Sequence, residues 1–252
     1  MKRIKIIMLA ISVILFAVIF TACANRGGDD TYDDDITALM DEILAHAVEE
    51  YTPIPGYIRI GDEYFSTELT ELDLFGMNLT DEEIELLRYM VNLESLRLRG
   101  QQISDLTMLS GLTNLTDLSL SNNEISDISP LSGLTNLKSL AIGASEISDL
   151  MPLAELTNLE TLQLGVNEIS DLTPLSGLTN LWLLRLDNNQ ISDITPLAGL
   201  INLKGLELNN NEISDITPLA SLTNLETLDL RSNLIADFTP LDHLPLLTYF
   251  SS

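Results

Sequence analysis

The sequence predicts an α/β solenoid with short parallel strands on a concave face, a thin back of 3₁₀ turns and a helical N-terminal cap. Three observations predict it. One pattern restarts every 22 residues, at Leu93, Leu115, Leu137, Leu159, Leu181, Leu203 and Leu225, so seven units fill residues 93–246. A 24-residue variant beginning at Leu69 precedes them, which makes 69–246 the repeat domain. Inside a unit the apolar spacing is that of a strand: Leu118 and Leu120 share one face, Leu115 completes the buried layer, and Asp117 and Ser119 point away. Ile125, Ile128, Leu131 and Leu134 fill the rest of the coil. No single coil buries that set. Stacked neighbours do, and every connection then returns in the same sense, so the strands are parallel.

The L-x-x-L-x-L-x-x-N-x-I core of the unit resembles the leucine-rich-repeat signature. Ahead of the repeats the chain changes character three times. Lys2, Arg3 and Lys5 precede an apolar run from Ile6 to Phe20. That pattern reads as a secretory leader over residues 1–22, with an uncleaved N-terminal anchor as the alternative. Ile19-Phe-Thr-Ala-Cys23 resembles the lipobox of bacterial lipoproteins, with Phe20 where Leu is usual. The resemblance implies lipidation of Cys23 and anchoring on the extracytoplasmic face of a bacterial cell membrane.

Residues 23–35 then form a polar, acidic tether. A run of three aspartates, Asp33 to Asp35, lacks EF-hand spacing, and no metal or other cofactor is expected. From Ile36 to Tyr51 a helical period sets in: Ile36, Leu39, Met40, Ile43, Leu44, Ala47, Val48 and Tyr51 share one face. Asp35 caps the start, and Pro53 and Pro55 end it. A short extended pairing is expected over residues 57–68. Together, residues 36–68 make the N-terminal cap that a solenoid needs.

The first coil keeps Leu69, Leu72 and Leu74 but carries a thicker back, in which Thr80 and Glu83 form a capping box and Ile84, Leu87 and Met90 face inward. In later coils the turn after the strand holds Asn123, Asn167, Asn189, Asn211 and Asn233, expected as a buried amide ladder serving backbone groups. Gln101 and Ser145 interrupt that row, so their coils should be less tightly fixed. On the back, Ser129-Pro130, Thr173-Pro174, Thr195-Pro196, Thr217-Pro218 and Thr239-Pro240 read as N-cap then first helical residue, a pattern Met151-Pro152 breaks. Asp105, Asp127, Asp149, Asp171, Asp193, Asp215 and Asp237 fall at one position just before. Identical repetition favours an Asx-type turn device over a metal or acid–base site. Residues 247–252 close the chain as a short cap, with Tyr249 and Phe250 placed to cover the last apolar layer.

Charge narrows the partners. Twelve basic residues face 38 acidic ones, a net −26, and loss of the leader would deepen it to −29 because Lys2, Arg3 and Lys5 go with it. Nucleic acid needs a basic footprint and is not expected. A ligand with a basic surface is favoured. Catalysis is not expected either: His46 and His243 lie far apart, Cys23 belongs to the lipobox, and no phosphate-cradling glycine loop appears. A single cysteine also excludes internal disulfides.

The full unit, L-x-x-L-x-L-x-x-N-x-I-S-D-I-x-P-L-x-x-L-x-N, resembles that of the internalins and related bacterial leucine-rich lipoproteins. That resemblance implies a non-enzymatic protein-binding module using the concave face, at the cell surface. A self-associating envelope scaffold, pairing through the C-terminal edge, is the alternative. The outward residues that the repeat leaves free are the binding candidates: Phe75, Arg97, Arg99, Trp182, Leu183, Arg185, Asp187, Glu207, Asn209 and Arg231. Aromatic and arginine side chains among them suit interface anchors.

Overall fold

The computed structural model describes residues 56–251. The predicted leader, Cys23, the acidic tether and the helix over 36–51 lie outside the described residues. The described part opens with an antiparallel hairpin, β1 (Tyr57–Ile60) and β2 (Glu63–Ser66), which is the extended pairing expected there. Ile58 and Ile60 point into the solenoid core while Tyr57 and Arg59 face out.

Nine three-residue strands follow, one per coil: β3 (Glu71–Asp73), β4 (Ser95–Arg97), β5 (Asp117–Ser119), β6 (Ser139–Ala141), β7 (Thr161–Gln163), β8 (Leu183–Arg185), β9 (Gly205–Glu207), β10 (Thr227–Asp229) and β11 (Tyr249–Ser251). They form one parallel sheet in sequence order, and each residue pairs with its counterpart in the next coil, Leu118 with Leu140 and Leu140 with Leu162. This in-register stacking follows from the fixed period: a slip of one residue would turn a leucine out of every coil. The leucines and isoleucines of the repeat form one continuous core, fully buried from Leu93 to Leu225. Among the described residues no helix is long and apolar enough to cross a membrane.

The first back is thicker, as its sequence requires. A one-turn helix α1 (Asp81–Ile84) continues into a 3₁₀ segment, Glu85–Tyr89, and Ile84, Leu87 and Met90 are fully buried. The Glu83 carboxylate accepts the Thr80 backbone N–H at 2.9 Å, one arm of the capping box. Later backs are 3₁₀ turns of three to five residues, such as Ser129–Leu131 and Thr173–Gly177.

Here one expectation is corrected. Ser129 and the threonines are not N-caps; each is the first residue of its turn, with proline second. The capping is done two residues earlier. Asp105, Asp127, Asp149, Asp171, Asp193, Asp215 and Asp237 accept the N–H of the turn's first residue at 2.8–2.9 Å. An aspartate side chain reaches an amide two residues on, which frees the Ser or Thr to enter the turn itself. The aspartate column is thus an Asx-turn device. Hydrogen bonds from the Ser or Thr hydroxyl and backbone hold Asp127, Asp171, Asp193, Asp215 and Asp237 below the ordinary carboxylate range.

The asparagine ladder is present and its wiring is specific. Asn167 Nδ2 donates to Ile142 O in the coil before (2.8 Å) and to Leu164 O in its own (3.0 Å), while Oδ1 accepts from Ile147 N–H (3.1 Å). Each amide therefore staples two coils. A second correction concerns Gln101, which extends the ladder instead of interrupting it. Its Oε1 accepts from Leu79 N–H at 2.6 Å and its Nε2 donates to Leu74 O at 2.8 Å, the longer side chain spanning the 24-residue coil. Ser145 does interrupt the row. Its hydroxyl reaches only Asn123 O, at 3.4 Å.

Candidate protein-binding face

The outward side of the sheet is built from three columns. Strand-first residues such as Asp117 and Thr161 make one, strand-last residues such as Arg97 and Gln163 the next, and the residues two further on, from Phe75 through Arg99 to Arg231, the third. Alternation along each strand dictates the pattern, since the leucines between them face the core.

The columns place the sequence-predicted residues in separate environments. Phe75 stands 70% exposed at the N-terminal end, its ring against Gly100. Arg97 faces Asp73 at 3.7 Å, a loose pair, and Arg99 beside it is exposed. Between them and Gln163 lies a hollow of about 230 Å³, lined by Asp117, Ser119, Ser121, Ser139 and Ala141. Small side chains in coils 115–158 create it.

The C-terminal half is more fully paired. Arg185 Nε lies 3.0 Å from Glu207 Oε1, an ion pair in which that shielded nitrogen makes no aligned hydrogen bond. Arg231 grips Asp229 through both Nε (2.9 and 3.1 Å) and a terminal nitrogen (2.5 Å), and this holds the Asp229 carboxyl below its ordinary range. Asp187 accepts from Asn188 Nδ2 at 2.8 Å and leans over Gly165, filling the place of a side chain there. Leu183 likewise overlies Gly205. Asn209 is half-buried between Asp187 and Arg231. Trp182, 43% exposed, does not join the three columns. It sits one residue before β8, in a row with Lys138, Glu160, Lys204 and Glu226, on the rim of the face.

The repeats match the family model for leucine-rich repeats (two copies) over residues 113–155, 157–199 and 201–243. Internalin C2 of Listeria monocytogenes is 40% identical, over 75% of this chain and 85% of that one, with a TM-score of 0.71. The chain belongs to the leucine-rich-repeat family, in its internalin-like form. Internalin F of the same species is 38% identical over 75% of this chain and 63% of its own, with a TM-score of 0.62. A leucine-rich-repeat protein of Leptospira interrogans is 27% identical over 66% and 44%, at 0.61. No curated protein matches this chain in sequence.

Two structural rows of this internalin-like solenoid escaped the sequence reading. Asn114, Asn136, Asn158, Asn180, Asn202 and Asn224 form a second ladder, each Nδ2 donating to a carbonyl of the preceding coil at 2.8–2.9 Å. Their recurrence at the unit's last position was the available signal. The residue before each first-ladder position from 123 to 233, Ser145 included, adopts positive φ: Asn122, Ala144, Val166, Asn188, Asn210 and Ser232 lie between 54° and 61°. The Asn-Asn pairs were the signal there, the first Asn tolerating the left-handed region and the second making the ladder. On the face itself, the charge pairing was legible as opposite charges at equal unit positions, Asp73 with Arg97 and Arg185 with Glu207.

Proposed function

We propose that this protein is a non-enzymatic binding module that recognises a protein ligand on its concave face while a lipid on Cys23 holds it at the outer face of the bacterial membrane. One observation carries the reading: the core and both ladders repeat almost unchanged, whereas the outward columns carry a different residue in nearly every coil. Variation on a fixed scaffold is what a recognition surface requires, and the concave sheet presents it as one continuous area. Rim residue Trp182 and half-buried Leu183 supply apolar contact, and Arg185, Asp187, Glu207 and Asn209 the polar contacts around it. The acidic total favours a ligand with a basic surface.

Photo-crosslinkers placed singly in the full chain test the face. Residue 163 lies on the concave sheet and Ser132 on the back. Crosslinks on cells from residue 163 alone support the proposal; equal yields from both positions defeat it. Cys23→Ser should release the protein from the membrane or leave its precursor unprocessed, and unchanged membrane association would exclude the lipid anchor. The scaffold alternative draws on the C-terminal edge, where Leu246, Tyr249 and Phe250 are exposed. Sedimentation of the intact chain as higher oligomers that Phe250→Ser disperses would favour it.

A further inference from the structure

Eight lysines and arginines fall in the described residues, and seven are in ion pairs: Arg59, Arg88, Arg97, Lys138, Arg185, Lys204 and Arg231. Arg99 is the exception among them. In a chain with 38 acidic side chains to twelve basic ones, an arginine without a carboxylate is not a matter of supply. Its position explains more. Arg99 borders the hollow of about 230 Å³ together with Arg97, Ser119 and Ser121. Ser121 Oγ accepts the Gly143 N–H at 3.1 Å, so its hydroxyl hydrogen is left to donate. Phe75 stands exposed against Gly100, next in sequence to Arg99, and offers an apolar surface beside the hollow rather than in its lining.

We infer that this hollow is a subsite for one acidic side chain of the protein ligand, held by the Arg99 guanidinium with Ser119 and Ser121 as hydroxyl donors. The inference rests on the concave-face reading above and names what one part of that face takes. A single carboxylate fits better than a phosphate. Arg97 is already shared with Asp73, and Asp117 lines the same hollow at its other margin. Asp117 and Ser121 are four residues apart along an extended chain, about 13 Å. The hollow is therefore polarised, donating at the Arg99 end and accepting at the Asp117 end. On so acidic a receptor the net charge disfavours an acidic ligand residue, so this contact fixes register rather than supplying general attraction.

The test uses the full chain and two peptides, acetyl-Lys-Glu-Phe-Lys-amide and its Gln counterpart. General attraction to an acidic protein makes the more cationic Gln peptide bind more tightly. The subsite reverses that order: the Glu peptide should bind about tenfold more tightly than the Gln peptide. Its binding should also shift the side-chain Nε–H signal of Arg99. In Arg99→Gln the order should revert to Gln over Glu, while Arg88→Gln, on the back of the first coil and paired with Glu85, leaves the Glu preference intact. A Gln preference in the wild type, or a Glu preference that survives Arg99→Gln, overturns the subsite. So does inorganic phosphate shifting Arg99 at the same concentration as the Glu peptide. Crosslinking from residue 163 with no Glu preference would remove the subsite and leave the face standing; the Glu preference without concave crosslinks would do the opposite.

Discussion

The middle of the solenoid and its last coil are built from the same unit, yet they are held differently. In coils 159–224 every strand has a neighbour on both sides, both asparagine ladders run through, and the repeated leucines are fully buried. In coil 225–246 Leu246 replaces the second-ladder asparagine, Leu244 keeps slight exposure, and Phe238 and Leu241 are only partly buried. The final strand adds modest cover. Phe250 pairs with Leu228 in register and meets Phe238 edge-on at 5.5 Å, but stays 40% exposed, and Tyr249 faces solvent. The wiring explains the contrast. A ladder amide in one coil serves backbone groups of the coil before it, so each coil is completed by its successor, and coil 225–246 has no full successor among the described residues.

The largest expected effect breaks the apolar half of this comparison. Leu184→Ala, at a fully buried position with coils on both sides, should cost about 3–5 kcal/mol because the rigid neighbours cannot collapse into the void. Leu244→Ala should cost about half of that at most, since the edge relaxes and solvent already reaches it. Urea midpoints measured on both variants check the ratio; equal losses would mean that the last coil is as well packed as the middle.

Next come the ladders. Asn167→Ala leaves Ile142 O and Ile147 N–H without the amide that links them, at about 2–4 kcal/mol. Asn233→Ala removes the same kind of link to Leu208 O and Ile213 N–H, but from a half-exposed site where water substitutes, and should cost about 1 kcal/mol. Hydrogen exchange gives a second view: amides in 225–246 should exchange faster than those in 159–202. The converse change is Ser145→Asn. It supplies Ile125 N–H with the acceptor that Ile103, Ile147 and Ile169 receive from the next coil, and should add about 1 kcal/mol.

How much of this was legible follows from what a period encodes. The fold, the parallel register and the aspartate turns are consequences of identical residues at identical positions, so Leu118, Asn167 and Asp193 announce them. The coil-specific exceptions are not. Gln101 looked like a gap because residue type alone hides that a longer amide can span a longer coil. Thr173 looked like a cap because Ser/Thr-Pro is a cap elsewhere, and only geometry shows Asp171 taking that task. On the outward face of the sheet the sequence named Arg97, Arg99, Arg185 and Arg231 as equals. Pairing in space separates them, leaving Arg99 outside the ion pairs.

A smaller effect sharpens the comparison within the middle itself. Val166 sits at φ 61°, a region that a β-branched side chain enters at a cost of about 1 kcal/mol or more. Val166→Asn should therefore stabilise by about 1 kcal/mol, as Asn188 and Asn210 hold the same place without that strain. No loss of packing offsets it, because Val166 is half-exposed. A thermal midpoint unchanged or lowered in the variant would show that the strain is relieved in some other way.

The last test concerns the one device that middle and edge share. Asp171, Asp193 and Asp215 in the middle and Asp237 at the edge are all held below the ordinary carboxylate range by hydrogen bonds to Thr173, Thr195, Thr217 and Thr239. A carboxyl whose folded value is depressed contributes stability above its unfolded value, near 3.8, and loses it as pH falls through the lower folded value. Acid also relieves the repulsion of a −26 chain, so absolute stability mixes two opposed trends. A difference separates them. Asparagine at these four positions can still accept the turn amide but cannot titrate, so the advantage of the wild type over the quadruple Asp→Asn variant should be present at pH 6 and shrink below pH 3.8. Neighbouring Asp171 and Asp215 oppose ionisation of Asp193, whereas Asp237 has no following coil with such a carboxylate among the described residues. Asp237→Asn alone should thus cost slightly more than Asp193→Asn at pH 6. Thermal midpoints of the three variants at pH 6 and pH 3 decide it, and a gap that does not depend on pH would exclude the charge of this column as a source of stability.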